Sequence, residues 1–241
     1  CCYFWFLILE FHPAKQQMNI TQIIPQLNNE LSATNCKLIA VSKTKPADLI
    51  LTAYEAGQRD FGENKVQELV NKHESLPKDI KWHMIGHLQS NKVKYIAPFI
   101  HLIHAVDSEK LLLTINNEAK KNDRVIDCLL QIHIASEESK FGLNELEIRA
   151  LLTSDSFRSY ENIKVVGLMG MATNTDKKQQ IASEFRTLKV LFEDLKRTFS
   201  SNNYQLTELS IGMSGDYKIA VEEGSTMVRI GSTIFGARNY P

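Results

Sequence analysis

The chain carries no net charge: 28 Lys and Arg stand against 28 Asp and Glu. Without a basic excess it has no electrostatic footprint for nucleic acid or for an anionic membrane. Cysteine is scarce. The four residues Cys1, Cys2, Cys36 and Cys128 form no C-x-x-C pair and no even spacing, which argues against a disulfide framework. Cys36 and Cys128 adjoin or lie in apolar strand-like runs and read as buried thiols of a reducing cytoplasm. Long apolar runs are missing too. The stretch 3–9 is too short to span a bilayer, and it has neither the basic flank nor the cleavage site of a signal peptide. Eleven Gly and six Pro leave no low-complexity linker, and no internal repeat divides the chain.

What is present is an alternation of short apolar runs and amphipathic stretches. Residues 38–42 read as a strand buried on both faces, as in a parallel sheet. Further strands are expected at 59–61, 81–85, 102–106, 126–135, 163–169, 206–211 and 227–230. Helices are expected at 46–56, 66–73, 91–97, 108–121, 144–153 and 217–223, with Gly57 just past the end of the first of these. The longest helix carries Ile181, Phe185, Leu188, Phe192 and Leu195 on one face. An opening helix holds Ile20, Ile23, Ile24, Leu27 and Leu31, with Pro25 marking its start or a kink, and a short turn closes the pattern at 232–235. Strict alternation implies parallel strands with helical crossovers. Eight repeats in 241 residues favour a single closed (β/α)8 TIM barrel over an open sheet. Met18 is the first methionine, and the barrel is expected over 18–241. Residues 1–17 are set aside as a leader, disordered or non-native.

In such barrels ligands bind at the carboxyl ends of the strands, and phosphates often sit after strands seven and eight. Gly212-Met213-Ser214-Gly215-Asp216 follows the seventh and Gly231-Ser232-Thr233 the eighth. Small residues ahead of helix N-termini suit an anion, although either loop alone is a plain connection. Lys43 ends the first strand with the side-chain parity of Val41, so it points inward if Val41 does. An inward amine tends to lose its proton and become a nucleophile towards aldehydes, and Lys45 adds a second positive charge nearby. The bland alternative is a solvated lysine pair. Arg229, with opposite parity to Val228 and Ile230, is expected in the lumen, near a ligand or paired with a lumen carboxylate. His83 and His87 have metal-like spacing only on a helix, and here a strand and Gly86 intervene, so no metal is expected. A polar loop contact from His87, Gln89 or Asn91 fits better. No serine sits on a G-x-S-x-G turn.

An inward lysine, a phosphate cradle and a lumen arginine together describe a pyridoxal phosphate site. The segments Ala40-Val41-Ser42-Lys43-Thr44-Lys45-Pro46, Phe61-Gly62-Glu63-Asn64, the run 83–92 beginning His83-Met84-Ile85-Gly86-His87, Ser139-Lys140-Phe141-Gly142, Gly212-Met213-Ser214 and the run 228–236 closely resemble the YggS/PROSC family of pyridoxal phosphate homeostasis proteins. Its barrel resembles the N-terminal domain of alanine racemase, and the resemblance covers 18–240. It implies a Schiff base on Lys43, Asn64 beside the cofactor, and a phosphate held by Met213, Ser214, Gly231 and Ser232. It also implies that Arg229 faces the pyridine nitrogen. The function expected from it is a cytoplasmic, monomeric carrier or buffer of pyridoxal 5′-phosphate, with apo forms of dependent enzymes as recipients. Arg229 would weaken the ring as an electron sink, and one barrel uses the whole length without the second domain that supplies alanine racemase with its other base. The competing readings are a weak pyridoxal phosphate-dependent amino-acid racemase and, further off, a phosphosugar-type barrel enzyme using Lys43 for aldol chemistry.

Overall fold

A computed structural model describes residues 13–137 and 141–237. Eight parallel strands close on themselves in sequence order. They are β1 Lys37–Val41, β2 Asp60–Glu63, β3 Lys81–Met84, β4 Leu102–Val106, β5 Ile126–Ile132, β6 Ile163–Gly170, β7 Tyr204–Met213 and β8 Met227–Ile230. The barrel closes where β1 pairs with β8, Ile39 lying opposite Arg229. On the outside α1 Pro13–Ser32 precedes β1, and the other helices follow the strands: α2 Ala47–Glu55, α3 Val66–Ser75, α4 Val93–Ile96, α5 Glu109–Lys121, α6 Glu145–Thr153, α7 Asp155–Arg158, α8 Lys178–Thr198, α9 Tyr217–Glu222 and α10 Ser232–Phe235. No helix among the described residues is long and apolar enough to cross a membrane.

Two apolar layers hold the barrel. Between sheet and helices pack Leu38, Ala40, Phe61, Trp82, Met84, Val228 and Ile230 with the inner faces of the helices. The lumen holds a smaller cluster of Ile39, Leu102, Ala105, Leu129, Val166, Met169 and Met227. Cys36 and Cys128 are buried free thiols, as expected; Cys1 and Cys2 lie outside the described residues.

The expected strands and helices are all present, with shifted ends. β2 runs on to Glu63 because Gly62 and Glu63 find register partners in His83 and Met84. β5 stops at Ile132, whose partner Gly170 ends β6. Pro25 lies inside α1, which starts at Pro13. The one-turn helix α7 was not expected. Ser154 ends α6 and caps α7 through Phe157 N–H at 3.2 Å, and one turn is too short to show a helical period.

Candidate functional site

Lys43 sits where β1 stops. Ile39 belongs to the lumen cluster, and strand alternation carries the same side to Val41. The chain then turns: Lys45 N–H donates to Ser42 O at 3.0 Å, and Thr44 takes φ 62°, a left-handed conformation disfavoured for a β-branched residue. Lys43 is half-buried on this turn. The ammonium of Lys45 is directed elsewhere, 3.3 and 3.1 Å from the carbonyls of Gly236 and Ala237.

A buried ionic cluster lies under the turn. Ser42 Oγ donates to Glu63 Oε1 at 2.5 Å. Lys72 Nζ reaches from α3 to Glu63 Oε1, Ser42 O and Glu68 Oε1 at 2.8, 2.8 and 2.7 Å. Glu68 Oε1 also accepts the N–H of Thr44 at 2.6 Å. Glu63 is fully buried, and its Oε2 has no partner among the described residues. Burial raises its carboxyl pKa, against the opposing pull of Lys72. The strained residue beside Lys43 is thus tied through two carboxylates and one ammonium to β2 and α3.

Asn64 follows Glu63 and is half-buried. The backbone after β3 lies directly against it: a Cβ on Gly86 would come 2.8 Å from Asn64 O and 2.9 Å from its Cα. Only glycine lets the two loops meet this closely. His83 and His87 part company. His83 is buried in the lumen, while His87 at the mouth lies 3.0 Å from Asp107 Oδ2 and stacks on Phe141. This is the polar loop contact expected of it.

The loops after β7 and β8 are joined. Gly231 N–H donates to Ser214 Oγ at 3.1 Å, while the N–H groups of Ile234 and Phe235 return to Gly231 O at 3.0 and 2.8 Å. The N–H groups of Ser232 and Thr233 precede those bonds, and both residues are exposed, as the first donors of a helix are. Gly212 at φ 92° leaves no room for a side chain, since a Cβ would meet that of Ala220 at 2.5 Å. Met213 is exposed, and its N–H donates to Asp216 Oδ1 at 2.5 Å. Of the fourth motif, Ser139 and Lys140 lie outside the described residues.

Arg229 is in the lumen, as parity required, and 4% exposed. Its partners are neutral. Nη1 donates to Ser210 O and Oγ at 2.7 and 2.6 Å, and Nη2 to Gly170 O at 3.1 Å. Three of five guanidinium hydrogens are therefore used, and no carboxylate salt-bridges it among the described residues. Burial lowers its pKa to about 10, so the group is a cation at neutral pH.

Sequence reasoning missed the polar column beneath Arg229. Ser210 Oγ lies 3.0 Å from His104 Nδ1, His104 Nε2 lies 2.9 Å from His83 Nδ1, and His83 Nε2 lies 3.0 Å from Asp60 Oδ1. Only the alternation of β3, β4 and β7 could have signalled that these polar residues share the lumen. His101 joins Asp60 and His83 at the barrel floor, their donor atoms within 4.8 Å of one another, but the Asp60–His83 hydrogen bond already engages two of the three.

The chain matches the model of the alanine racemase N-terminal domain over residues 18–239. It therefore belongs to that class of barrel. The pyridoxal phosphate homeostasis protein of Aquifex aeolicus is 39% identical over 208 residues, 86% of this chain and 89% of that one. The human protein of the same name is 41% identical over 231 residues, covering 92% and 83%. PipY of Synechococcus elongatus, solved with PLP bound, superposes with a TM-score of 0.81 at 34% identity, over 90% of this chain and all of that one. Within the class, the chain belongs to the family of the pyridoxal phosphate homeostasis proteins.

Proposed function

We propose that this chain binds pyridoxal 5′-phosphate and serves vitamin B6 homeostasis as a carrier or buffer rather than as an enzyme. The observation that carries the reading is Arg229, a buried cation whose hydrogen bonds among the described residues go only to neutral acceptors, with the Asp216 charge acting on it without a salt bridge. A buried charge is costly unless compensated, so the lumen mouth suits an electron-rich or anionic ligand. Two further features fit the same ligand. Lys43 sits on the neighbouring strand's turn, and beside the bridge of Ser214 and Gly231 the exposed residues Ser232 and Thr233 open a helix, an arrangement that suits a phosphate. The name shared by the curated relatives and the PLP bound to PipY agree.

In this reading Lys43 holds the ligand covalently through its amine. Ser214, Gly231 and Ser232, with Met213 beside them, hold the phosphate, and Asn64 packs beside the ring. Pyridoxal phosphate supplies an aldehyde that captures amines and a ring that withdraws electrons best when its nitrogen is protonated. Arg229 places a fixed positive charge where that proton would go, which disfavours transamination and decarboxylation. The protein works as a cytoplasmic monomer, and the recipients are apo forms of pyridoxal phosphate-dependent enzymes.

Two measurements test this. Borohydride reduction of the loaded protein followed by peptide mass spectrometry should place a pyridoxyl group on Lys43, and Lys43→Ala should lose it; a label on Lys45 overturns the assignment. An apo enzyme should regain activity from the loaded protein at a rate different from that with matched free pyridoxal phosphate. Efficient α-proton exchange on an amino acid would instead make the chain an enzyme.

A further inference from the structure

The polar column under Arg229 has a direction. A guanidinium only donates, so Ser210 Oγ accepts from Arg229 Nη1 at 2.6 Å and keeps one hydrogen and one lone pair for His104. His104 is fully buried, and burial holds its pKa well below the usual histidine range. It is therefore neutral and carries one ring hydrogen. At the other end the Asp60 carboxyl, though burial pushes it upward, is held below its ordinary pKa by the hydrogen bond from His83. A carboxylate only accepts, so His83 Nε2 carries a hydrogen.

Where His83 carries that single ring hydrogen, one assignment satisfies every contact. His83 Nδ1 accepts from His104 Nε2–H, and His104 Nδ1 accepts from the Ser210 hydroxyl. The donors then run in one sense from Arg229 through Ser210, His104 and His83 to Asp60. The opposite sense puts the hydrogen of His104 on Nδ1 and requires both ring hydrogens on His83. Ser210 Oγ would then accept from both His104 and Arg229 and turn its own hydrogen elsewhere. The groups facing His83 are Asp60, His101 and His104.

We propose that Ser210, His104, His83 and Asp60 form a directed hydrogen-bond relay through the depth of the barrel that positions the Arg229 guanidinium, with His104 setting its sense. These are positioning residues. A histidine filling the lumen without this role would satisfy its own polar atoms but leave Arg229 unaffected when removed. The relay stands on contacts present without ligand; its effect on a bound ring rests on the pyridoxal phosphate reading above. Ring-nitrogen electronics would then depend on residues at the barrel floor, far from the mouth.

The test begins on the ligand-free protein, with nitrogen-15 in histidine and arginine side chains. Long-range proton–nitrogen spectra should show His104 and His83 both as Nε2–H tautomers. A hydrogen on His104 Nδ1, or both ring hydrogens on His83, overturns the proposed sense. Arg229 Nη signals should be resolved, because the held guanidinium rotates slowly. In His104→Leu they should collapse by rotation, whereas His104→Gln, whose amide can accept from Ser210 and donate to His83, should keep them resolved. If the leucine variant does not fold, Ser210→Ala against Ser210→Thr makes the same comparison. Arg229 signals unchanged in the apolar variant refute the positioning role. On loaded protein, the apolar variant should release pyridoxal phosphate about tenfold faster, on the scale of a weakened hydrogen bond to a charged group, with the glutamine variant close to wild type. If wild type binds no pyridoxal phosphate, the functional reading fails while the ligand-free spectra still decide the relay.

Discussion

Lys72 Nζ lies 2.8 Å from Glu63 Oε1, and both side chains are buried next to the turn that carries Lys43. The pair belongs neither to the lumen nor to the phosphate loops. Its other bonds, to Ser42 O and Glu68, end on the strand and the turn that present the amine.

Removing Lys72 should therefore cost more than a surface charge. Lys72→Met leaves Glu63 buried and uncompensated, and the expected loss of stability is about 3–5 kcal/mol, read by urea denaturation. Glu68→Gln should cost less, because Glu68 is partly exposed, but it weakens the anchor on Thr44 N–H and should slow pyridoxal phosphate capture at Lys43. Equal capture rates in Glu68→Gln and wild type would separate the cluster from the site.

Much of this molecule was legible from sequence. Strand parity placed Arg229 in the lumen, and Gly-Ser segments after the last two strands marked the loops that Ser214 and Gly231 bridge. The buried cluster was not legible, because Lys72 occupies a helix position where a lysine ordinarily meets solvent. Its reach to Ser42 depends on how α3 seats on β2, which periodicity does not encode. The His83–His104 contact was hidden for a similar reason: the residues lie on different strands, and β4 carries a register irregularity between Ile103 and Val106.

Gly86→Ala tests the contact with Asn64. The added methyl would meet backbone atoms at 2.8 and 2.9 Å, so the loop must move. Overpacking of this kind costs about 1–3 kcal/mol. Melting temperature should fall, and the affinity for pyridoxal phosphate should fall with it as Asn64 is displaced. Unchanged affinity in the folded variant would remove Asn64 from the site.

Arg229→Glu separates carrier from enzyme. A carboxylate in place of the guanidinium permits a protonated ring nitrogen, and the variant should gain slow half-reactions with amino acids, followed by absorption changes under single turnover. Folding is checked first, because a buried glutamate beside Ser210 loses the relay's donor. A folded, loaded variant no more reactive than wild type would assign inertness to substrate access instead.

Acid stability should carry a histidine signature. Burial lowers the His101 pKa from 6.5 to about 4. The unfolded chain takes up this proton at the higher value, so the contribution of His101 is complete above pH 6.5 and is lost as pH falls towards 4. His101→Gln should flatten the decline in that window by less than one proton, since the side chain is partly solvated. Denaturation midpoints at several pH values measure the slope, and parallel curves for the two proteins would contradict it.

The seam of the barrel has a consequence for the order of events during folding. Lys43 follows β1 and Arg229 lies on β8, and the two strands meet only when the ring closes. Contacts between such distant segments form slowly, because loop closure must precede them. A growing chain emerging from the ribosome would thus hold the capturing amine long before it holds the cation and the β8 loop. Ligand capture becomes a timer for ring closure, and the appearance of bound chromophore in a refolding experiment should coincide with the last cooperative phase rather than with early helix formation.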